Sequence, residues 1–169
     1  MPVVPHHPGW AADYRAEAAV VLAAMGDSLV AVHHIGSTAI PAISAKPIID
    51  MLGVATTLEA VERATPALTA LGYEAMGAFG IEGRRYFRKH DGGGTRTHHL
   101  HVFAAGSPHI ARHLAFRDYL RANPDRAAAY SELKQTLAAD PHSYVARKDP
   151  FVLAVEAEAL AWAGRRNGY

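Results

Sequence analysis

The residues from His33 to Met51 constrain the chain more than any other stretch, because two apolar runs there flank a turn of almost no side-chain bulk. Leu29 to Ile35 is short, apolar and β-branched, which is the composition of a strand. Gly36-Ser37 then turns the backbone, and Pro47 to Val54 reads as a second buried strand. That second run carries a single acid, Asp50. An unpaired charge in an apolar strand is costly, so Asp50 requires a metal, a basic side chain or a cap. Lys46, or an arginine of the next hairpin, would make it a structural ion pair.

The flanking sequence supplies the helices. Pro2 to Pro8 is an extended lead-in, since its prolines deny helical continuity. From Gly9, Trp10, Tyr14, Ala18, Val21, Leu22 and Met25 recur at helical spacing, predicting a helix that ends near Gly26. Thr57 to Leu71 predicts a second helix, stopped by Gly72 and kinked or split at Pro66. Tyr73 to Phe79 has no clear period. Gly80 to Lys89 and Thr97 to Ala104 read as a strand pair, joined by a Gly-rich hairpin loop from His90 to Thr95. Ser107 and Pro108 open a helix running to about Ala122, broken by Asn123-Pro124. Further helices are expected over Asp125 to Ala139 and roughly Pro150 to Gly164, with joints at Asp140-Pro141 and Lys148-Asp149-Pro150. The expected fold class is α/β (α+β): a small mixed sheet with packed helices and a helical C-terminal half.

The 169 residues suit a single domain over 1–169 with room for a proper core. A formal net charge of +1 gives no global argument for a nucleic-acid or membrane surface. Zero cysteines exclude disulfides and thiolate metal sites and fit a cytoplasmic protein. The first ten residues lack the basic and apolar regions of a signal peptide, and no apolar run approaches the roughly 20 residues of a membrane span. Eleven histidines are the one unusual count.

Several of those histidines fall in a chemically useful pattern. His99 and His101 lie two apart on an expected strand and project to one face, while His98 turns away with Leu100. With Asp50 they would form a mixed His₂–carboxylate site, and imidazole pairs suit Zn, Mn, Fe or Ni better than Mg. The same pair would also serve as phosphate-binding imidazolium or in proton transfer, or be half-buried and hydrogen-bonded. Of His33 and His34, on alternate faces of the first strand, His34 is the choice to look into the cleft. In the run Arg84 to Lys89, Tyr86 and Arg88 share one face, with Glu82, and Arg85, Phe87 and Lys89 share the other. Arginine forks recognise phosphate or carboxylate, although basic edge strands are also simply solvated. Gly36 and Ser37 let a phosphate approach backbone N–H groups, and equally make a tight turn with a local Ser cap. His109 and His113, one turn apart, read as surface; Phe116, Tyr119, Tyr130 and Phe151 read as core.

The string from His34 to Asp50, with Gly83 to Lys89, His98 to Val102, Phe116 to Arg121, Tyr130, Leu133-Lys134 and Lys148 to Phe151, resembles the GrpB family of the nucleotidyltransferase superfamily. The resemblance spans nearly the whole chain and implies a nucleotidyltransferase-like fold. It implies that Gly36, Ser37 and Thr38 cradle nucleotide phosphate and that Asp50 holds metal; on the strand spacing above, His99 and His101 would be its further ligands and catalytic partners. Lys46, Arg84, Arg85 and Lys134 would meet substrate charge, and Lys148 is a second candidate hand for a triphosphate. The implied cofactor is a divalent metal, Mg, Mn or Zn, and the implied partner a nucleoside triphosphate or other phosphorylated small molecule. In that superfamily a second carboxylate commonly sits two residues on, sharing the strand face. Here that position is Leu52, a departure from the two-metal arrangement. Two readings follow: metal-dependent nucleotidyl or phosphoryl transfer, or a non-catalytic nucleotide- or anion-binding module. Some relatives are fused to dephospho-coenzyme A kinase.

Overall fold

The computed structural model describes the backbone of residues 1–140, 142 and 144–167. Among them five strands form one sheet: β1 (Leu29–Ile35), β2 (Ile49–Ala55), β3 (Tyr73–Ala75), β4 (Arg84–His90) and β5 (Arg96–Ala104). Their order is β1-β2-β5-β4-β3. β2 and β5 are parallel, and the other neighbours are antiparallel. Helices α1 (Trp10–Met25) and α2 (Leu58–Ala70) precede and follow the first two strands. Then α3 (Pro108–Ala122), α4 (Pro124–Ala138) and α5 (Tyr144–Asn167) make up the C-terminal half.

Strand alternation divides the sheet into two unlike faces. Met51, Leu100, Val102 and Phe87 pack with Trp10, Val21 and Met25 of α1 and with Val61 and Leu68 of α2. The opposite face carries Asp50, His99, His101 and Tyr86. Further along it, Leu52 and Phe103 meet Ile110 and Leu114 of α3. A third cluster joins Ile40 and Ile43, from the segment after Gly36-Ser37, to Leu120 of α3, Tyr130 of α4 and Val155 of α5. The helical half therefore covers the face on which the acid and the imidazoles stand.

Local signals account for most boundaries. Thr57 caps α2 by accepting from the Ala60 N–H, and Ser107 caps α3 with Pro108 at the first turn. The Gly-rich loop is a hairpin: Asp91 Oδ1 accepts from Gly93 N and Thr95 N at 2.9 and 3.0 Å.

The structure corrects several expectations. α2 runs unbroken through Pro66, its buried Val61 and Leu68 holding both halves against the sheet. Residues 80–83 form turns, because Gly80 and Gly83 adopt φ of +87° and +79°; β4 starts at Arg84 and Glu82 is exposed in a turn. α5 begins at Tyr144 and contains Pro150, so Lys148-Asp149-Pro150 is a helical turn and not a joint. Pro141 of the expected Asp140-Pro141 joint lies outside the described residues. No helix among the described residues is long and apolar enough to cross a membrane.

Leu100 is fully buried between β2, β4 and the α1–α2 layer. Leu100→Ala is expected to cost about 2–5 kcal/mol. Urea unfolding would show this as a lower midpoint with an unchanged slope.

Candidate metal and phosphate site

The Gly36-Ser37 turn is set by sterics. Gly36 has φ +73°, and a Cβ there would lie 2.7 Å from Asp50 Oδ2. Only glycine lets the chain pass the carboxylate this closely. Ser37–Ala39 then makes a single 3₁₀ turn, with Ala39 N donating to Gly36 O at 3.1 Å. The helical half pins the segment on both sides. Arg117 and Arg121 of α3 donate to the carbonyls of His34 and Ala39 at 3.2 and 2.8 Å. From α4, Ser131 Oγ accepts from Ser44 N at 2.8 Å and Gln135 donates to Ser44 Oγ at 2.6 Å.

Register brings the acid and the imidazoles together. Asp50 pairs with His99 across the parallel β2–β5 ladder, and Leu52 pairs with His101. Asp50 Oδ1 lies 3.2 Å from His99 Nδ1 and 3.4 Å from His101 Nε2. One ligand atom from each of the three residues lies within 4.8 Å of the others, a spacing suited to one metal ion. Burial alone would push the Asp50 carboxyl up. Hydrogen bonds from His101 and His99 outweigh it and hold the acid ionised, well below the usual carboxylate range. His101 stacks on Tyr86 at 5.2 Å, and Arg84 reaches His101 Nδ1 at 3.3 Å. His99 Nε2 is buried and has no hydrogen-bond partner among the described residues.

Two cavities meet at this cluster, both lined by Asp50, His99 and Lys148. The first, about 280 Å³, is walled by Ser37, Thr38, Lys46, Arg96 and Lys134 and is strongly cationic. The second, about 320 Å³, is walled by Gly36, Ile35, Phe116, Tyr130 and Val152, with Arg112, His113, Asp149 and Glu156. Its acids and bases nearly balance.

Of the residues expected at the site, Gly36, Ser37, Thr38, Lys46, Asp50, His99, His101 and Lys134 come together around these cavities, with Arg84 behind His101. Arg85 does not. It turns to the opposite face, the one covered by α1 and α2, and pairs with Glu62 of α2 at 2.8 Å. His34 is likewise buried on the α1 side, stacked on Tyr14 at 4.6 Å and hydrogen-bonded to Thr38. Burial, then the charge of Arg121, lowers its pKa to about 4. His113 is not a surface residue: it packs 5.9 Å from His101, and burial, then Arg112, lowers its pKa to about 3.

Arg96 was missed because simple alternation fails there. The register shifts between Lys89 and His90, so Arg96 pairs with His90 and shares the face of His99. In the sequence Asp149 reads as part of a joint because Pro150 disguises the first turns of α5, and Glu156 falls on the expected last helix with no role. Glu156 carries no local sequence signal.

Lys134 is the most telling group in the cationic cavity. It is 2% exposed, and its Nζ has no hydrogen-bond partner among the described residues; it lies 4.6 Å from the Tyr130 ring centroid. Burial, then the charge of Lys148, lowers its pKa from 10.5 to about 7. A buried ammonium without a partner is suited to an anionic ligand. Because the folded pKa lies below the unfolded one, the ammonium costs stability in full below about pH 7. The cost is relieved as pH rises from there towards 10.5. Lys134→Met is expected to melt about 4 °C or more above wild type at pH 6. The gap should shrink between pH 7 and pH 10; thermal melts across that range that show a constant gap would contradict it.

The family model described as GrpB protein matches residues 1–158. The UPF0157 protein YqkA of Bacillus subtilis is 44% identical over 169 residues, covering 98% of this chain and 49% of YqkA. The chain thus spans about half the length of that relative. The dephospho-CoA kinase of Mycolicibacterium paratuberculosis is 27% identical, over 95% of this chain and 46% of the kinase. The crystal structure of GrpB from Enterococcus faecalis matches with a TM-score of 0.89 at 42% identity, covering 95% of this chain and 98% of that one. Cid1, solved with its product ApU, matches with a TM-score of 0.53 at 9% identity, covering 79% of this chain and 41% of Cid1. That second structural likeness is one of fold alone, and it agrees with the expected nucleotidyltransferase-like architecture. On the family model, the sequence identity and the matching GrpB structure together, this chain belongs to the GrpB family.

Proposed function

We propose that the chain is a metal-dependent transferase that moves a nucleotidyl or phosphoryl group from a nucleoside triphosphate to an acceptor oxygen. One observation carries the reading: an ionised carboxylate with two imidazoles stands where a cationic cavity meets a mixed one. Ser37, Thr38, Lys46, Arg96 and Lys134 are suited to hold phosphate oxygens, and Lys148 lies at the junction. The mixed cavity, with Phe116, Tyr130 and Val152 beside Asp149 and Glu156, is suited to a less charged partner. In the reaction the acceptor oxygen attacks phosphorus and the bond to the leaving phosphate breaks. The leaving group departs with the electron pair, and the proton given up by the acceptor ends on the leaving phosphate, directly or through water. A divalent cation bound at the Asp50, His99 and His101 cluster would supply acidity to the attacking oxygen and neutralise phosphate charge. Nucleotide binding by a protein of similar fold, Cid1 with a UTP analogue, supports the substrate class.

Leu52 favours a second reading. It is fully buried among Ile35 and Phe103, so apolar packing occupies the place of a second carboxylate. A chain with one carboxylate and a cationic cavity would bind a nucleotide without transferring it.

Calorimetry separates the two. On the transferase reading, wild type binds a non-hydrolysable triphosphate only with Mn²⁺ or Mg²⁺. Asp50→Asn and the double variant His99→Ala/His101→Ala each then lose about tenfold or more in metal affinity. Equal triphosphate binding with and without metal, untouched by both variants, would leave a binding module.

A further inference from the structure

The three-residue metal cluster contains a chemical conflict at His101. Its Nδ1 lies 3.3 Å from an Arg84 guanidinium nitrogen, and its Nε2 lies 3.4 Å from Asp50 Oδ1. A guanidinium only donates hydrogen bonds and stays charged. Nδ1 must therefore accept, and a neutral imidazole that accepts at Nδ1 carries its proton on Nε2. That proton points at Asp50. Rotating the ring by half a turn offers no escape, because carbon atoms would then face both Arg84 and Asp50.

For Nε2 to bind a metal, the proton would have to move to Nδ1, setting one N–H against another at 3.3 Å. Arg84 is poorly placed to give way. It is 8% exposed, and its Nε and second terminal nitrogen hold the carbonyls of Ala78 and Phe79 at 3.2 and 2.9 Å. Its fixed positive charge also opposes a cation at His101. His99 has no such block. Its Nδ1 faces Asp50 Oδ1 at 3.2 Å, and its Nε2 is buried without a partner among the described residues. No cation fixes the His99 tautomer: Nδ1 donates to Asp50 in the metal-free chain, and moving that proton to Nε2 would free Nδ1 for a metal.

We infer that Arg84 fixes His101 as an N–H donor to Asp50, making both positioning residues, and leaves Asp50 and His99 as the protein's ligands. This rests on the metal reading above and narrows its ligand set. It also points to the class of ion. One carboxylate and one imidazole leave most coordination positions to water and phosphate oxygens, the habit of an octahedral ion such as Mn²⁺ or Mg²⁺. A structural zinc site would instead be closed by four protein ligands.

The first test needs no metal and no substrate. Long-range ¹H–¹⁵N correlation spectra of the metal-free full chain should show His101 protonated at Nε2 and unprotonated at Nδ1; a proton on Nδ1 overturns the inference. The second is Mn²⁺ calorimetry on wild type, His101→Gln and His99→Gln. Glutamine at 101 keeps an amide donor for Asp50, so that variant should bind Mn²⁺ nearly as wild type does. His99→Gln should lose about tenfold or more. Equal losses in the two variants would make His101 a ligand after all. In Arg84→Met the block is gone, and Zn²⁺ affinity should rise about tenfold; an unchanged value counts against the inference. Should that variant fail to fold, the spectra and the glutamine pair decide. Should wild type bind no divalent cation at all, the transferase reading fails, and the tautomer of His101 still reports on Arg84.

Discussion

The approach of the Gly36 backbone to the Asp50 carboxylate is the contact on which the site depends. A Cβ at 36 would collide with Asp50 Oδ2, so the turn between β1 and β2 is drawn against the acid of β2. Everything nearby is arranged to tolerate that half-buried charge. Two imidazoles from β5 meet one carboxylate oxygen, while lysines and Arg96 line the adjoining cavity. Without these partners the desolvation cost of Asp50 would favour its protonation.

Two layers do different work around this centre. The α1–α2 layer buries Met51, Leu100 and Val102, and it makes β2 and β5 rigid neighbours whose register is specified by apolar alternation. The helical half holds the backbone of the segment after Gly36 through Arg117, Arg121, Ser131 and Gln135. It also brings Lys148 to the junction of the two cavities, Lys134 to the cationic one and Asp149 to the mixed one. Side chains separated by some hundred residues in the chain thus share a few ångströms. Lys134 Nζ and His99 Nε2, neither with a hydrogen-bond partner among the described residues, both belong to this region, as expected where a ligand completes the hydrogen bonding.

Much of the fold was legible in the sequence. The β1 run and the Ser107-Pro108 start were readable because strand composition and caps are local signals. The failures were local conflicts settled by packing. Pro66 and Pro150 sit inside helices whose other residues are held by buried faces, and Gly80 with Gly83 turn a segment that looked like strand. At the site, period-two alternation grouped His99 with His101 and set Arg85 apart from Tyr86. It failed for Arg96, because a register shift in the hairpin changes the face.

By itself the sequence determined which residues could carry chemistry: a glycine able to pass close to a carboxylate, an acid needing partners, and two imidazoles two apart on a strand. These follow from backbone sterics, desolvation and strand geometry, each of which acts over a few residues. Tertiary structure alone decided who partners whom. The parallel register sets His99 beside Asp50 and His101 beside Leu52. The burial of Arg84 against the carbonyls of Ala78 and Phe79 aims a donor at His101. Those choices depend on contacts between distant segments, where hydrogen-bond donors and acceptors must match in three dimensions.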